Sequence, residues 1–366
     1  MYKVTDYINR GVKFANNKFR PRHKKISTLM LYATEMCNSR CLHCRVWEKR
    51  PPQHLSFEKI VEIMNSKCIT KDTIVGMEGG EFLLHPESDK ILSWFSKNHP
   101  KFDILTNGLQ PDKVISTVKK YTPQRLYISL DGRAETYKYM RGKDGFDKVM
   151  QVIEACKDIV PLSLMFTLTP YNSFKDLQDV IDISKTYNID IRIGLYNNID
   201  FFETKDPAHL KESQEKMLTS DISTDFRKTM PESVKFTSEN YDFLMLYEEW
   251  RNGNTKLKCD SILDSLVIHP NGDVPICQYL STKLGNVNQN SLDEIFNSIE
   301  AVKIQQQHNK SCNKCWINFH RKYDIVLLRS FEKIFPKRII EIFYGKYQWC
   351  ENKSLSYRKY MSNYSG

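Results

Sequence analysis

The chain is predicted to adopt an α/β fold, a parallel sheet with helices packed outside it, on the strength of two observations. Six β-rich runs alternate with helical ones between Ile26 and about Asn198, and the motifs richest in reactive side chains fall where those runs end. The strands read as 27–33 (STLMLYA), 73–77 (TIVGM), 102–106 (FDILT), 125–130 (RLYISL), 162–169 (LSLMFTLT) and 189–195 (IDIRIGL). Helical periodicity falls between them at 56–66, 87–98, 112–121, 145–158 and 174–187. Ser173 and Asp176 suit a loose capping box, and Pro86 suits a first helical turn. MCNSRCLHC follows the first strand, GGE the second, TNG the third and SLDG the fourth. This is the end at which βα-barrels carry their active sites.

Composition narrows the class further. A length of 366 residues allows one large or two ordinary domains, and 40% hydrophobic residues are enough for a sizeable core. The opening segment has no apolar run of secretory length and no later stretch approaches a membrane span, so a cytoplasmic protein is expected, in which clustered cysteines serve metal rather than disulfides. The net charge of +10 is uneven. Residues 1–27 carry eight Lys/Arg against one Asp, and residues 316–366 carry ten against four acids, a total of +13, which leaves −3 for residues 28–315. Solvated basic ends are the expectation, with contact to an anionic membrane as the sharper alternative.

Cys37, Cys41 and Cys44 are spaced x3 then x2, and three thiolates in so short a loop can hold three corners of an iron–sulfur cube with the fourth iron open. The spacing alone also suits zinc, with His43 as a fourth ligand. Taken with GGE at Gly79–Glu81, TNG at Thr106–Gly108 and SLDG at Ser129–Gly132, the chain resembles the radical S-adenosylmethionine (SAM) superfamily. The resemblance implies a partial (βα)6 TIM-type barrel over residues 26–198, a 4Fe–4S cluster on the three cysteines, and SAM on its open iron. It also implies roles for particular residues. Gly79 and Gly80 would let the backbone approach the cofactor, and Glu81 would meet the methionine amine, although Phe82 stands where the family usually has proline. Ser129 and Asp131 would supply ribose and carboxylate contacts, Arg141 would pair with the methionine carboxylate, and Asn107 would reach the ribose. The backbones of His43 and Leu195 would meet adenine.

A second set comprises Cys259, Cys277, Cys312 and Cys315. Asn271-Gly272 predicts a hairpin turn that returns Cys277 beside the preceding strand. The pattern C-x12-G-x4-C followed by CxxC resembles the auxiliary-cluster domains of the same superfamily, and the short one-cluster "twitch" form in particular, because WINFHRKYD follows Cys315 where the longer SPASM form has more cysteines. A second 4Fe–4S cluster, closed by four thiolates, is implied over residues 259–320; the same four cysteines also suit structural zinc. Residues 199–258 read as a helical bridge containing YDFLMLYEEW, residues 1–25 as a basic extension, and residues 321–366 as a basic amphipathic helical tail broken at Pro336.

Three cysteines remain. Cys156 reads as a core thiol, Cys68 sits near a helix end, and Cys350 is a candidate hydrogen donor because radical epimerases of the superfamily use a lone cysteine. The resemblance implies reductive cleavage of SAM, with flavodoxin or ferredoxin as a typical electron donor. A sugar, cyclitol or glycolipid-type substrate, dehydrogenated or epimerised, is the first expectation. Gln278 tells against dehydrogenation, since sulfatase-maturing relatives carry an aspartate there. A ribosomally made peptide is the second expectation, set back because about 26 residues before the first strand leave no room for a peptide-binding winged helix. The chain shows no groove-reading or RNA-binding motif, which argues against a non-catalytic nucleic-acid-binding protein.

Overall fold

The computed structural model describes residues 4–196 and 238–347. Helix α1 (Val4–Phe19) precedes β1 (Thr28–Thr34), and then α2 (Phe57–Met64), β2 (Ile74–Gly79), α3 (Ser88–Asn98), β3 (Phe102–Thr106), α4 (Pro111–Tyr121) and β4 (Arg125–Ser129) alternate. Two helices, α5 (Ala134–Arg141) and α6 (Phe146–Cys156), lead to β5 (Leu162–Leu168), followed by α7 (Phe174–Tyr187) and β6 (Asp190–Leu195). All six expected strands form, and each pairs in parallel with its neighbour. The Ser173 box closes reciprocally with Asp176. Pro86, by contrast, lies before the helix it was expected to open, since α3 starts at Ser88 behind Glu87.

A seventh parallel strand was not foreseen. After α8 (Ser238–Arg251), β7 (Ser265–Ile268) adds to the outer side of β1, giving the order β6-β5-β4-β3-β2-β1-β7 and so a half-barrel. It comes from the chain that carries the second cysteine set, so that set is joined to the barrel through main-chain pairing. The Asn271-Gly272 turn forms with Gly272 at φ +87° and folds the chain back, the His269 N–H donating to the Asp273 carbonyl at 2.9 Å, and beyond it β8 (Asp273–Pro275) forms its ladder with an antiparallel β9 (Lys283–Asn286). The short β9 was too polar to register as a strand.

Period-2 alternation along β1 sets up the site. Leu29, Leu31 and Ala33 face the layer between sheet and helices, while Met30 and Tyr32 face inward and pack with Val46, Val267, Cys37 and Cys44. The remaining helices are α9 (Leu292–Asn297), α10 (Ile299–Ser311), α11 (Asn318–Glu332) and α12 (Lys337–Tyr344). Helix α11 packs on α8, where Trp316 donates to the Phe243 carbonyl at 2.8 Å and stacks on the Phe243 ring. The break at Pro336 occurs as expected.

The basic N-terminal extension differs from a solvated tail. Arg10 makes a two-point ion pair with Asp264, whose side chain is wholly buried, and Asn17 donates to the carbonyls of Lys25 and Leu263. The cations of α1 are thus partly spent on docking the helix beside β7. Among the described residues no helix is long and apolar enough to cross a membrane.

Candidate functional site

The three-cysteine loop leaves β1 and is tied down on both flanks. The Gly80 and Glu81 N–H groups donate to the Thr34 and Met36 carbonyls at 2.7 Å each, and the Arg40 and Leu42 N–H groups donate to the carbonyls of Arg141 and Met140 at 2.8 and 2.9 Å. Gly79 has φ +126°, and a Cβ on Gly80 would lie 2.7 Å from the Met36 carbonyl carbon. The close approach these glycines permit is therefore of one chain segment to another, the end of β2 against the cysteine loop.

Glu81 lies at the same turn. Its carboxylate is buried and accepts from the Thr106 hydroxyl at 3.0 Å and the Asn107 N–H at 2.7 Å, so it anchors the turn after β3. Burial raises its pKa to about 7, against the pull of those donors. Asn107 in turn donates to Asn38 at 2.8 Å, reaches Cys37 Sγ at 3.9 Å, and its carbonyl accepts from the Tyr137 hydroxyl. The turn after β3 thus braces the loop after β1.

On the other side, Asp131 and Arg141 pair at 2.5 Å with both side chains buried, and the guanidinium reaches Cys41 Sγ at 3.7 Å. Ser129 ends β4, half-buried, and Leu195 ends β6, with its backbone at the same rim. Ser39 bridges Cys41 Sγ and the Arg141 carbonyl at 3.1 Å each. Burial drives the Cys37 thiol up to about 12, and burial together with Cys41 drives Cys44 further in the same direction. Two buried polar atoms here have no protein partner, Arg141 Nε and His43 Nδ1. Three clustered thiols beside an unspent donor and an unspent ring nitrogen fit the sulfur-ligated cluster and the zwitterionic SAM expected at this rim.

The second set is gathered differently. Cys259, Cys277 and Cys315 are buried and Cys312 half-buried, and the Cys259 N–H donates to the Cys312 carbonyl. Arg321 is wholly buried beside them, donating to the carbonyls of Cys315 and Leu257 and to Asn313 at 3.0, 2.8 and 2.6 Å. His320 accepts from the Gln278 N–H and meets Ser261. Burial raises the Cys259 and Cys315 thiols, Cys315 to about 12, and Arg321 pulls both back. Neither Arg321 nor His320 was singled out from the sequence. The available signal was the HR pair in WINFHRKYD after the CxxC, a stretch read only for its lack of further cysteines, with the tail begun at Arg321. Among the described residues no three His, Cys, Asp or Glu side chains converge on a single-ion position; in an iron–sulfur cube each thiolate meets its own iron.

Between the two sets lies a cavity of about 170 Å³ lined by Glu35, Lys49, His269, Asp273, Gln278 and Lys283 among others. Lys49 pairs with Glu35 at 3.2 Å and Lys283 with Asp273 at 2.6 Å. Gln278 donates to the Tyr32 hydroxyl on the inner face of β1. Burial lowers His269 to about 4, which leaves it neutral near pH 7. Cys68 and Cys156 are core thiols, and Cys350 lies outside the described residues, as do 199–237 of the expected bridge.

Residues 31–183 match the radical SAM superfamily model and residues 259–316 the SPASM iron–sulfur cluster-binding domain. The antilisterial bacteriocin subtilosin biosynthesis protein AlbA of Bacillus subtilis is 27% identical over 75% of this chain and 60% of its own length. A GTP 3',8-cyclase of Clostridium botulinum is 25% identical over 46% of this chain and 56% of its own. The chain thus spans only about 60% of the length of these curated relatives. Among solved structures, Streptococcus suis SuiB bound to S-adenosylmethionine superposes at TM-score 0.54, with 16% identity over 83% of this chain and 74% of that one. Native anSMEcpe with bound AdoMet superposes at 0.55, with 17% identity over 92% and 96%. The chain thus carries a radical SAM domain in its half-barrel, followed by a SPASM-type iron–sulfur cluster-binding domain, and these two domains imply SAM and 4Fe–4S clusters as cofactors.

Proposed function

We propose that this enzyme modifies a peptide. The observation that carries this reading is the likeness, across three quarters of the chain, to a protein of bacteriocin biosynthesis. SuiB bound to its precursor peptide and anSMEcpe bound to a peptide share the fold. The cavity between the cysteine sets is in keeping with it. At about 170 Å³ it is small beside the roughly 300–1,000 Å³ of pockets that hold whole ligands, and so suits one side chain of a longer chain. Its two lysines and two acids balance, so its walls suit a neutral polar group such as an amide. Sugar hydroxyls would meet the same walls, which keeps dehydrogenation or epimerisation of a sugar-, cyclitol- or glycolipid-type metabolite as the second reading.

In this account Cys37, Cys41 and Cys44 hold the first cluster, and the chemistry it supplies with SAM is a 5′-deoxyadenosyl radical able to take a substrate hydrogen. The chain's own residues position and enclose. Arg141, with Nε unspent, suits the methionine carboxylate, and Asp131 fixes its guanidinium plane. Each Glu81 carboxylate oxygen accepts one bond and keeps a further lone pair, so Glu81, with the main chain of Gly79 and Gly80, would meet the methionine amine. By the family resemblance, Asn107 and Ser129 would meet the ribose, and the His43 and Leu195 backbones adenine. Cys259, Cys277, Cys312 and Cys315 close the second cluster with no open position, and Arg321 offsets its thiolate charge. The Gln278 carboxamide takes up no proton near neutrality, so that position supplies no general base. Residues 26–198, 259–320 and the tail from 321 act as barrel, cluster domain and appendage, with an electron donor of the flavodoxin or ferredoxin type outside the chain.

The test is substrate-coupled formation of 5′-deoxyadenosine by the anaerobic enzyme, with host-cell extract split by size. Stimulation that disappears when the extract is digested with protease is the expected result. Stimulation that resides in the protease-resistant, low-mass fraction would replace the peptide with a metabolite.

A further inference from the structure

Helices α11 and α12 meet at a tip whose surface is both apolar and basic. All seven residues from 333 to 339 are exposed. Ile334 is 71% exposed, and across the Pro336 turn Ile342 and Phe343 are 70% and 67% exposed, with Phe335 and Ile339 also outward. Scattered apolar residues on a surface need no explanation, but five within one short helical turnaround form a patch.

The patch is held outward. Ile339, Ile342 and Phe343 share one face of α12 at i, i+3 and i+4, while Ile340 is buried and Tyr344 half-buried on the face toward the core. The base of the hairpin is fixed at several points. The Tyr347 hydroxyl donates to Glu332 at 2.6 Å, the Lys256 N–H to the Tyr344 carbonyl at 2.7 Å, and Arg329 pairs with Asp242 at 2.5 Å. A helix so anchored cannot turn its apolar face inward. Lys333, Lys337, Arg338 and Lys346 are exposed around the patch, and the nearby acids are already engaged, Glu332 by Arg329 and Tyr347 and Glu341 by Lys337 at 3.7 Å.

We propose that this tip docks on the surface of an anionic lipid bilayer. Ile334, Phe335, Ile339, Ile342 and Phe343 enter the boundary between headgroups and acyl chains, and the four cations meet lipid phosphates. High exposure on both sides of the Pro336 turn makes the patch a protrusion without a concavity. A protrusion of this kind suits a fluid surface that closes around it, and the basic rim selects negative charge.

Flotation of the cluster-loaded enzyme with vesicles tests this. Vesicles of phosphatidylcholine and phosphatidylglycerol at roughly two to one should carry the enzyme up, phosphatidylcholine alone should not, and salt should release it, because the screening length falls from about 10 Å at 0.1 M to about 3 Å at 1 M. Ile342→Glu with Phe343→Glu, and separately Lys337→Glu with Arg338→Glu, should each lower the vesicle-bound fraction about tenfold or more, with SAM cleavage and melting temperature unchanged. Failure of the wild type to float, equal flotation on uncharged vesicles, or flotation of both variants like the wild type would overturn the proposal. So would a vesicle-free dimer in sedimentation velocity that Ile342→Glu with Phe343→Glu dissolves while the wild type ignores vesicles, since the patch would then belong to a second copy.

Discussion

The two cysteine sets solve the same problem, holding several buried thiols together, by opposite means. The first is a single short loop, and its shape comes from main-chain bonds to the ends of its neighbours, made at van der Waals range through Gly79 and Gly80. The second draws its cysteines from residues 259 to 315, and a buried cation, Arg321, joins the pieces through three hydrogen bonds to groups far apart in sequence. The first loop is therefore sensitive to added bulk as well as to loss of the Asp131–Arg141 pair beside it. The second set depends on its one guanidinium.

The largest expected effects break the charged braces. Arg321→Met strands two carbonyls and a set of thiols around the missing charge, and should cost about 3–5 kcal/mol with loss of the second cluster's iron only. Arg141→Met leaves Asp131 buried without its cation, with a penalty of the same order, about 3–5 kcal/mol. It should affect the first set, and iron analysis beside a urea melt distinguishes the two variants. Next comes bulk. Gly80→Ala drives a methyl into the Met36 backbone, for about 1–3 kcal/mol and loss of SAM cleavage, whereas Gly253→Ala, with open space but a φ of +74°, should cost only about 1 kcal/mol.

The smallest effects are in pH. Glu81 rises from 4.5 to about 7 in the folded chain, so the folded state keeps a proton that the unfolded state has already lost, and this group's contribution falls as pH rises from 4.5 to 7. His320 drops from 6.5 to about 3 because it is buried, so its contribution is intact above 6.5 and is lost as pH falls toward 3. Glu81→Gln should flatten the first limb of the stability profile, and His320→Gln the second. Urea melts of the metal-free protein across pH 4–8 read both.

The same contrast explains what the sequence disclosed. Six strands of the half-barrel were legible because each is a contiguous run and the first four carry a motif at their ends, and the Ser173 cap and the Pro336 break are local signals. The seventh strand was missed because four residues, Ser265–Ile268, become a strand only through pairing with β1. The docking of α1 rests on Arg10 finding Asp264, a contact across most of the chain that leaves no local trace. Glu81 is a similar case. Its motif is evident in sequence, but that the carboxylate also anchors the turn after β3 depends on where Thr106 and Asn107 come to lie. Arg321 read as one more basic residue because a guanidinium looks the same in sequence whether it is solvated or buried.

The central claim is that the two sets are separate clusters and that only the first cleaves SAM. Anaerobic reconstitution of the wild type, of Cys37/Cys41/Cys44→Ala and of Cys312/Cys315→Ala, with iron and sulfide counted and 5′-deoxyadenosine assayed, tests it most directly. The account predicts roughly eight irons in the wild type and roughly four in each variant, with SAM cleavage lost in the first variant and retained in the second. SAM cleavage by Cys37/Cys41/Cys44→Ala, or a wild type holding about four irons and one zinc, would contradict it.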